Sequence, residues 1–233
     1  MRSTHKNPLT ASDMDHLSKF IGYGNLNADV WFIGMEEAGG GEENIRTRLT
    51  FKKVEDCFKA HEKLGINKHH LDRKIIQPTW AQMCRLMLGL ENKPFTTTNV
   101  RQYQSEQLGR NGGNTLLCEL MPIPKPNITS WGYENFIPHF QTVREYYQQV
   151  KPLRIKYFKK LLSHRNPKIV ICYGKKYWKD YKNIFEDRVF EVEGEFQIAT
   201  NKQKTIILTP HLISRQMNGQ ISNLVDLVNC NLR

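Results

Sequence analysis

Four short apolar runs constrain the fold more than any other feature. Ala28 to Gly34 (ADVWFIG), Thr115 to Leu120 (TLLCEL), Lys168 to Tyr173 (KIVICY) and Thr205 to Thr209 (TIILT) are too short for buried helices, and glycine or proline closes or soon follows each. Runs of that length and composition are what a strand covered on both faces requires. Between them apolar residues recur at helical spacing: Trp80, Met83, Met87 and Leu90; Val143, Tyr146, Tyr147 and Val150; Ile221, Leu224, Val225 and Val228. Strands alternating with helices predict an α/β chain, a three-layer α/β/α sandwich around a mostly parallel four-stranded sheet.

The same reading places further elements. Ser12-Asp13 opens a short helix over Met14 and Leu17, which Gly22-Tyr23-Gly24-Asn25 breaks. Single helices are expected from about Asn44 to Leu64, from Thr98 to Leu108 and from Lys175 to Tyr181. Pro152 suits the first turn of a new helix ending near Ser163, and Pro122, Pro124 and Pro126 stop the second strand. Val189 to Val192 and Phe196 to Ala199 read as a hairpin around Glu193-Gly194.

The 233 residues fit one domain, 1–233, without a repeat or long linker. No apolar run approaches the roughly 18 residues of a membrane span, and Met1 to Lys6 has no apolar signal core. Five cysteines, at 57, 84, 118, 172 and 230, are odd in number and widely spaced. That excludes a disulfide framework and a Cys-x-x-Cys metal site, so a reducing cytoplasm is expected.

Lys and Arg number 34 against 23 Asp and Glu, a formal charge of +11, which points to a polyanionic partner, nucleic acid first. The charge is concentrated: from Arg144 to Lys182 twelve basic residues face only Glu145 and Asp180, with Tyr157, Tyr173, Tyr177, Trp178 and Tyr181 interleaved. Such a stretch, including Lys175 and Lys176, suits a surface that follows phosphates.

Two loops sit where parallel sheets bind ligands, beyond the carboxyl ends of strands. The first is Gly34-Met35-Glu36-Glu37-Ala38-Gly39-Gly40-Gly41, two carboxylates followed by three glycines. The second is Pro210-His211-Leu212-Ile213-Ser214-Arg215-Gln216-Met217-Asn218, where apolar Leu212, Ile213 and Met217 alternate with Ser214, Arg215 and Gln216. That mixture suits a segment that enters a duplex while holding its phosphates.

Taken in order, these segments resemble the uracil-DNA glycosylase superfamily over about residues 22 to 229. The first motif, a strand ending in glycine, then an acidic residue and a tight turn, is matched by Ile33-Gly34-Met35-Glu36-Glu37-Ala38-Gly39. The last, a strand followed by histidine and a short loop, is matched by Leu208-Thr209-Pro210-His211-Leu212-Ile213-Ser214. Between them, Asn166-Pro167-Lys168-Ile169-Val170-Ile171-Cys172-Tyr173-Gly174-Lys175 matches the strand and glycine-basic turn of several branches.

The resemblance implies base flipping and hydrolysis of an N-glycosidic bond without metal or organic cofactor, with DNA as partner and no protein partner required. It assigns a catalytic carboxylate to Glu36, with Glu37 the alternative, and an anion-stabilising donor to His211. Met35 and the backbone N–H groups of Gly39 and Gly40 would line the base pocket, with Phe51 or Trp80 stacking on the base. Lys175, Lys176, Leu212, Ser214, Arg215, Gln216 and Met217 would hold or wedge the DNA.

Two departures bear on the substrate. An asparagine at the end of the second strand reads the base in many uracil-specific branches, whereas Asn114 stands at its start, leaving Asn114 or Asn218 to fill the role. A second glutamate also replaces the usual proline. With small residues from Ala38 to Gly41 offering space, the expected substrate is a bulky modified pyrimidine, such as a glucosylated cytosine of phage DNA. Lys125 is expected to turn outward between its flanking prolines, leaving no amine in the pocket for strand cleavage. The rivals are a repair glycosylase for uracil or deaminated bases and an inactive nucleic-acid-binding module.

Overall fold

The computed structural model describes residues 7–231 except Arg73, Ile128, Ser130 and Lys202; the amino-terminal Met1 to Lys6 stretch lies outside the described residues. The strands are β1 (Gly22–Gly24), β2 (Val30–Ala38), β3 (Val54–Glu55), β4 (Thr115–Lys125), β5 (Ile169–Tyr173), β6 (Glu191–Glu193), β7 (Phe196–Asn201) and β8 (Lys204–Thr209). They form one sheet in the order β3-β1-β4-β2-β5-β8-β7-β6. The four runs singled out in the sequence are its centre: β4, β2, β5 and β8 are adjacent and parallel. The sheet is not four-stranded, however. β1 adds antiparallel to β4 and carries β3, and the β6–β7 hairpin extends the other edge antiparallel to β8.

Alternation along the strands divides the core between the two faces. Trp31, Ile33, Leu116, Cys118, Val170 and Cys172 pack with α1 (Ala11–Ser18), α7 (Val143–Arg165) and α8 (Trp178–Ile184). Val30, Phe32, Leu117, Ile169 and Ile171 pack with α3 (Cys57–Lys63), α5 (Pro78–Leu90), α6 (Thr97–Glu106) and α9 (Ile221–Asn231). The short helices α2 (Glu42–Arg48) and α4 (Lys68–Leu71) complete the set. In α9 the four residues read from the sequence, Ile221, Leu224, Val225 and Val228, are the buried face. No helix among the described residues is long and apolar enough to cross a membrane.

Three expectations about element boundaries are corrected. The span from Asn44 to Leu64 is α2, then β3, then α3, because Asp56 caps α3 by accepting from the Phe58 and Lys59 amides. Pro152 does not start a helix; α7 runs through it. The loss of one backbone donor there is outweighed by a face repeating every four residues, with Tyr146, Val150, Arg154, Phe158 and Leu162 all buried. Prolines do not end β4 at Leu120 either. β1 pairs only with Leu116 to Cys118, so Pro122 and Pro124 fall where that side needs no ladder donor, and β4 continues beside β2 to Lys125.

Candidate active site

β2 runs past Gly34 to Ala38, so both glutamates stand on a strand, and the β2–β4 register shifts between Glu36 and Ala38. Around this carboxyl end lie two adjoining cavities. One, of about 320 Å³, is walled by Tyr23, Glu37, Arg48, His61, Trp80 and Glu119, among others. The other, of about 210 Å³, is lined by Met35, Glu36, Lys125, Asn127, Tyr177 and His211. Glu37, Ala38 and Tyr173 belong to both. This is the crevice expected of an open parallel sheet.

The two glutamates have different surroundings. Glu37 has both oxygens engaged: Arg48 Nη2 donates to Oε1 at 2.8 Å and Tyr23 Oη to Oε2 at 3.0 Å. Burial would raise its pKa, but the Arg48 guanidinium and these bonds prevail and hold it below the ordinary range. Glu36 uses one oxygen. Tyr147 Oη donates to Oε2 at 2.9 Å and Lys125 Nζ lies 3.2 Å from the same atom, while the buried Oε1 has no hydrogen-bond partner. Desolvation prevails over the Lys125 charge and raises Glu36 to about 7. A carboxylate poised near neutrality with one unpartnered oxygen can orient a water or face a developing cation.

A third carboxyl group joins them on β4. Tyr173 Oη donates to Glu119 Oε1 at 2.9 Å, and Oε2 is buried with no partner. The two side chains meet above Gly34, where a Cβ would collide with both the Glu119 carboxyl and the Tyr173 hydroxyl. That close approach explains the glycine at the start of the motif. Desolvation raises Glu119 to about 8, further than the Tyr173 hydrogen bond lowers it, and the charges of Glu37 and Glu36 add to the rise. At neutral pH Glu119 is therefore a neutral acid with one hydrogen to donate.

His211 lies just past β8, exposed, with its ring edge-on to Tyr173 at 5.7 Å; partial desolvation lowers its pKa. The loop that follows differs from expectation. Leu212 and Met217 are 1% and 2% exposed and anchor it in the core below, so neither is a wedge; Ile213, at 50%, is the apolar residue presented outward. Ser214 is half-buried with an unpartnered hydroxyl, and Arg215 and Gln216 are exposed. Lys175 and Lys176 are exposed just past β5, with Lys175 over the Trp178 ring.

Other expected contacts are not brought to the cavities. Phe51 is buried against Phe20 in the core. Asn114 sits at the opposite end of the sheet, accepting from the Asp29 amide. Asn218 is exposed and lines neither cavity. Gly39 donates its N–H to the Lys125 carbonyl at 3.1 Å, Tyr133 and Pro124 fill the space beside Gly40, and although the space beside Gly39 and Gly41 is open, none of the three glycines lines either cavity. The basic stretch is divided. Arg154 is buried and donates to the carbonyls of Ser18, Glu119 and Leu120. Lys168 pairs with Asp29 at the amino ends of the strands.

Sequence reasoning missed Tyr23, Arg48, Glu119, Lys125, Tyr147 and Tyr173. Lys125 is the sharpest correction, since its side chain is wholly buried against Glu36. Trp80 does line the larger cavity, stacked on His61 with ring centroids 5.2 Å apart. No protein-family model matches the chain, and no curated protein matches it.

Proposed function

We propose that this chain is a DNA glycosylase that flips a modified or damaged base and hydrolyses its N-glycosidic bond, leaving an abasic site. Glu36 carries this proposal: a carboxylate at the strand ends, held through one oxygen by Lys125 and Tyr147, with the other unpartnered. Bond cleavage leaves positive charge on the sugar and negative charge on the departing base. Glu36 Oε1 faces the first and orients the attacking water, and His211, on the wall of the same cavity, donates to the second. Flipping costs a few kcal/mol, which contacts from the rim formed by Lys175, Lys176, Ile213 and Arg215 offset.

The larger cavity receives the base. Trp80 offers a stacking face, and Glu119 stands on β4 where the family resemblance implies an amide. A neutral carboxyl group, like an amide, pairs a donor with an acceptor. The cavity's volume falls within the range of small-ligand sites, which suits a substituted pyrimidine such as glucosylated hydroxymethylcytosine. A repair activity on uracil is the second reading, favoured by Asn127, an amide on the wall of the smaller cavity. Incubation with duplexes carrying each base, scored for released base and alkali-labile sites, tests both. Release from neither, with DNA binding intact, leaves a binding module.

A further inference from the structure

We propose that Cys57, His61 and His70 form a binding site for one zinc-like transition-metal ion beside the larger cavity. Cys57 and His61 stand four residues apart on α3 and so share a face of the helix. His70, on α4, meets them across a short connection. Cys57 Sγ lies 4.0 Å from His61 Nε2, and His70 Nε2 lies 3.3 Å from His61 Nδ1. One donor atom from each residue falls within 4.8 Å of the others; tetrahedral bonds of about 2.0–2.3 Å hold their ligands about 3.3–3.8 Å apart, so the three side chains close in by about an ångström on binding.

All three residues are buried, and His70 Nδ1 has no hydrogen-bond partner. In the fold as it stands, the three make a chain of contacts through both nitrogens of His61; an ion takes one nitrogen of each ring in its place. One sulfur with two imidazoles selects zinc or another borderline or soft ion over magnesium or calcium. Binding replaces the Cys57 S–H bond with a sulfur–metal bond and sends the proton to solvent. Of the three ligands only His61 lines the larger cavity, so a fourth ligand from solvent enters on that side. The spacing, Cys-x3-His-x8-His, lies outside the Cys-x-x-Cys patterns, which is why the cysteine count did not reveal it.

The test uses full-length protein stripped with chelator, carrying Cys230→Ser so that the one exposed cysteine does not bind adventitiously. Titration with Co²⁺ alone should give a thiolate-to-cobalt charge-transfer band that saturates at one equivalent, releases protons and is displaced by Zn²⁺. Cys57→Ser should abolish the band. His70→Ala should weaken binding beyond the ~10–100-fold that loss of an outer-shell partner costs. Because buried variants can misfold, the melting temperature of the Cys230→Ser protein with Zn²⁺ and with Mg²⁺ is a second measurement; only Zn²⁺ should raise it. No band and no Zn²⁺-specific rise in melting temperature, or a band that survives Cys57→Ser in folded protein, overturns the site.

Discussion

Lys125 Nζ lies 3.2 Å from Glu36 Oε2, and the lysine side chain is wholly buried. Tyr147 stands between them chemically, accepting from Lys125 at 3.3 Å and donating to Glu36 at 2.9 Å. The carboxylate is thus oriented from α7 and from the end of β4, elements far from it in sequence. Buried charge of this kind persists only when paired and hydrogen-bonded.

Glu36→Gln should lower base release by at least ~10²-fold, a scale typical of losing one charge-stabilising group, while DNA affinity survives. Glu37→Gln should behave differently. It leaves the Arg48 guanidinium buried without its partner, and breaking a buried pair costs about 3–5 kcal/mol of stability. Its Tm should fall by many degrees, with turnover at low temperature largely kept. A stable, inactive Glu37→Gln beside an active Glu36→Gln would exchange the two roles.

Lys125 lowers the pKa of Glu36 against the stronger effect of burial. A reaction that needs the carboxylate form rises with pH through about 7. Lys125→Met removes the cation, raises the Glu36 pKa further and should move that rise to higher pH, with little change in KM. A profile that stays in place, or moves to lower pH, removes Lys125 from the orienting role. The expected product remains an intact abasic site, now for a different reason: the Lys125 amine is present but engaged as a donor to Glu36 and Tyr147. Borohydride trapping should therefore yield no covalent adduct, and a Lys125-dependent adduct would show a lyase.

Glu119 links the site to stability. Its folded-state pKa, about 8, lies above the ordinary value of 4.5, so the folded state holds a proton that the unfolded state has lost between those values. Stability is full below about 4.5 and falls as pH rises toward 8, with Glu36 contributing in the same direction up to about 7. Every tenfold difference in proton affinity between the two states corresponds to about 1.4 kcal/mol. Glu119→Gln keeps the size and the donor but cannot ionise, so its Tm should exceed wild type near pH 8.5 by several degrees and converge with it near pH 5. Parallel Tm curves for the two proteins across that range would contradict the raised pKa.

What could be read from the sequence follows from which interactions are local. The central strands were legible because Val30 to Ile33 and Ile169 to Cys172 are buried on both faces, and the apolar run itself records that. β1 was not, because Gly22-Tyr23-Gly24 carries the marks of a turn and becomes a strand only by pairing with β4 and β3. Lys125 between prolines looked solvent-facing, since nothing local shows that Tyr147 and Glu36 converge on it. Tyr147 was placed on the apolar face of its helix, where its ring does pack, but its hydroxyl serves the site. In the His211 loop, alternation suggested projecting apolar groups, whereas Leu212 and Met217 point down as anchors.

DNA affinity should fall with salt, with a log–log slope of about −0.9 per phosphate contact. Lys175→Glu with Lys176→Glu should flatten the slope by nearly two, since both are exposed beside the cavities. Arg165→Glu with Lys168→Glu is the control. Those residues contact Asn27 and Asp29 at the far end of the strands, and their reversal should leave the slope nearly unchanged. Equal effects from both pairs would mean that the whole basic surface attracts DNA without a defined path.

The base itself is the last prediction: glucosylated hydroxymethylcytosine should be released faster than uracil from matched duplexes under single turnover. The glycine run does not carry this, because none of Gly39, Gly40 and Gly41 lines either cavity. What supports it is the division of the crevice. The larger cavity extends from Glu119 and Tyr173 to Trp80, His69 and Gln77, beyond the position where a base edge would meet Glu119. A ring substituent directed that way gains stacking and polar partners that uracil lacks. A site with unsatisfied polar groups discriminates strongly against a ligand that leaves them unpaired. Trp80→Ala should therefore slow the glucosylated substrate by about 10-fold or more, on the basis of roughly 1–3 kcal/mol per stacked base. Uracil release, already slow, should change in the same direction but by less. Faster release of uracil by the wild-type protein would instead place Asn127 and the smaller cavity in charge of the base and make this a repair enzyme.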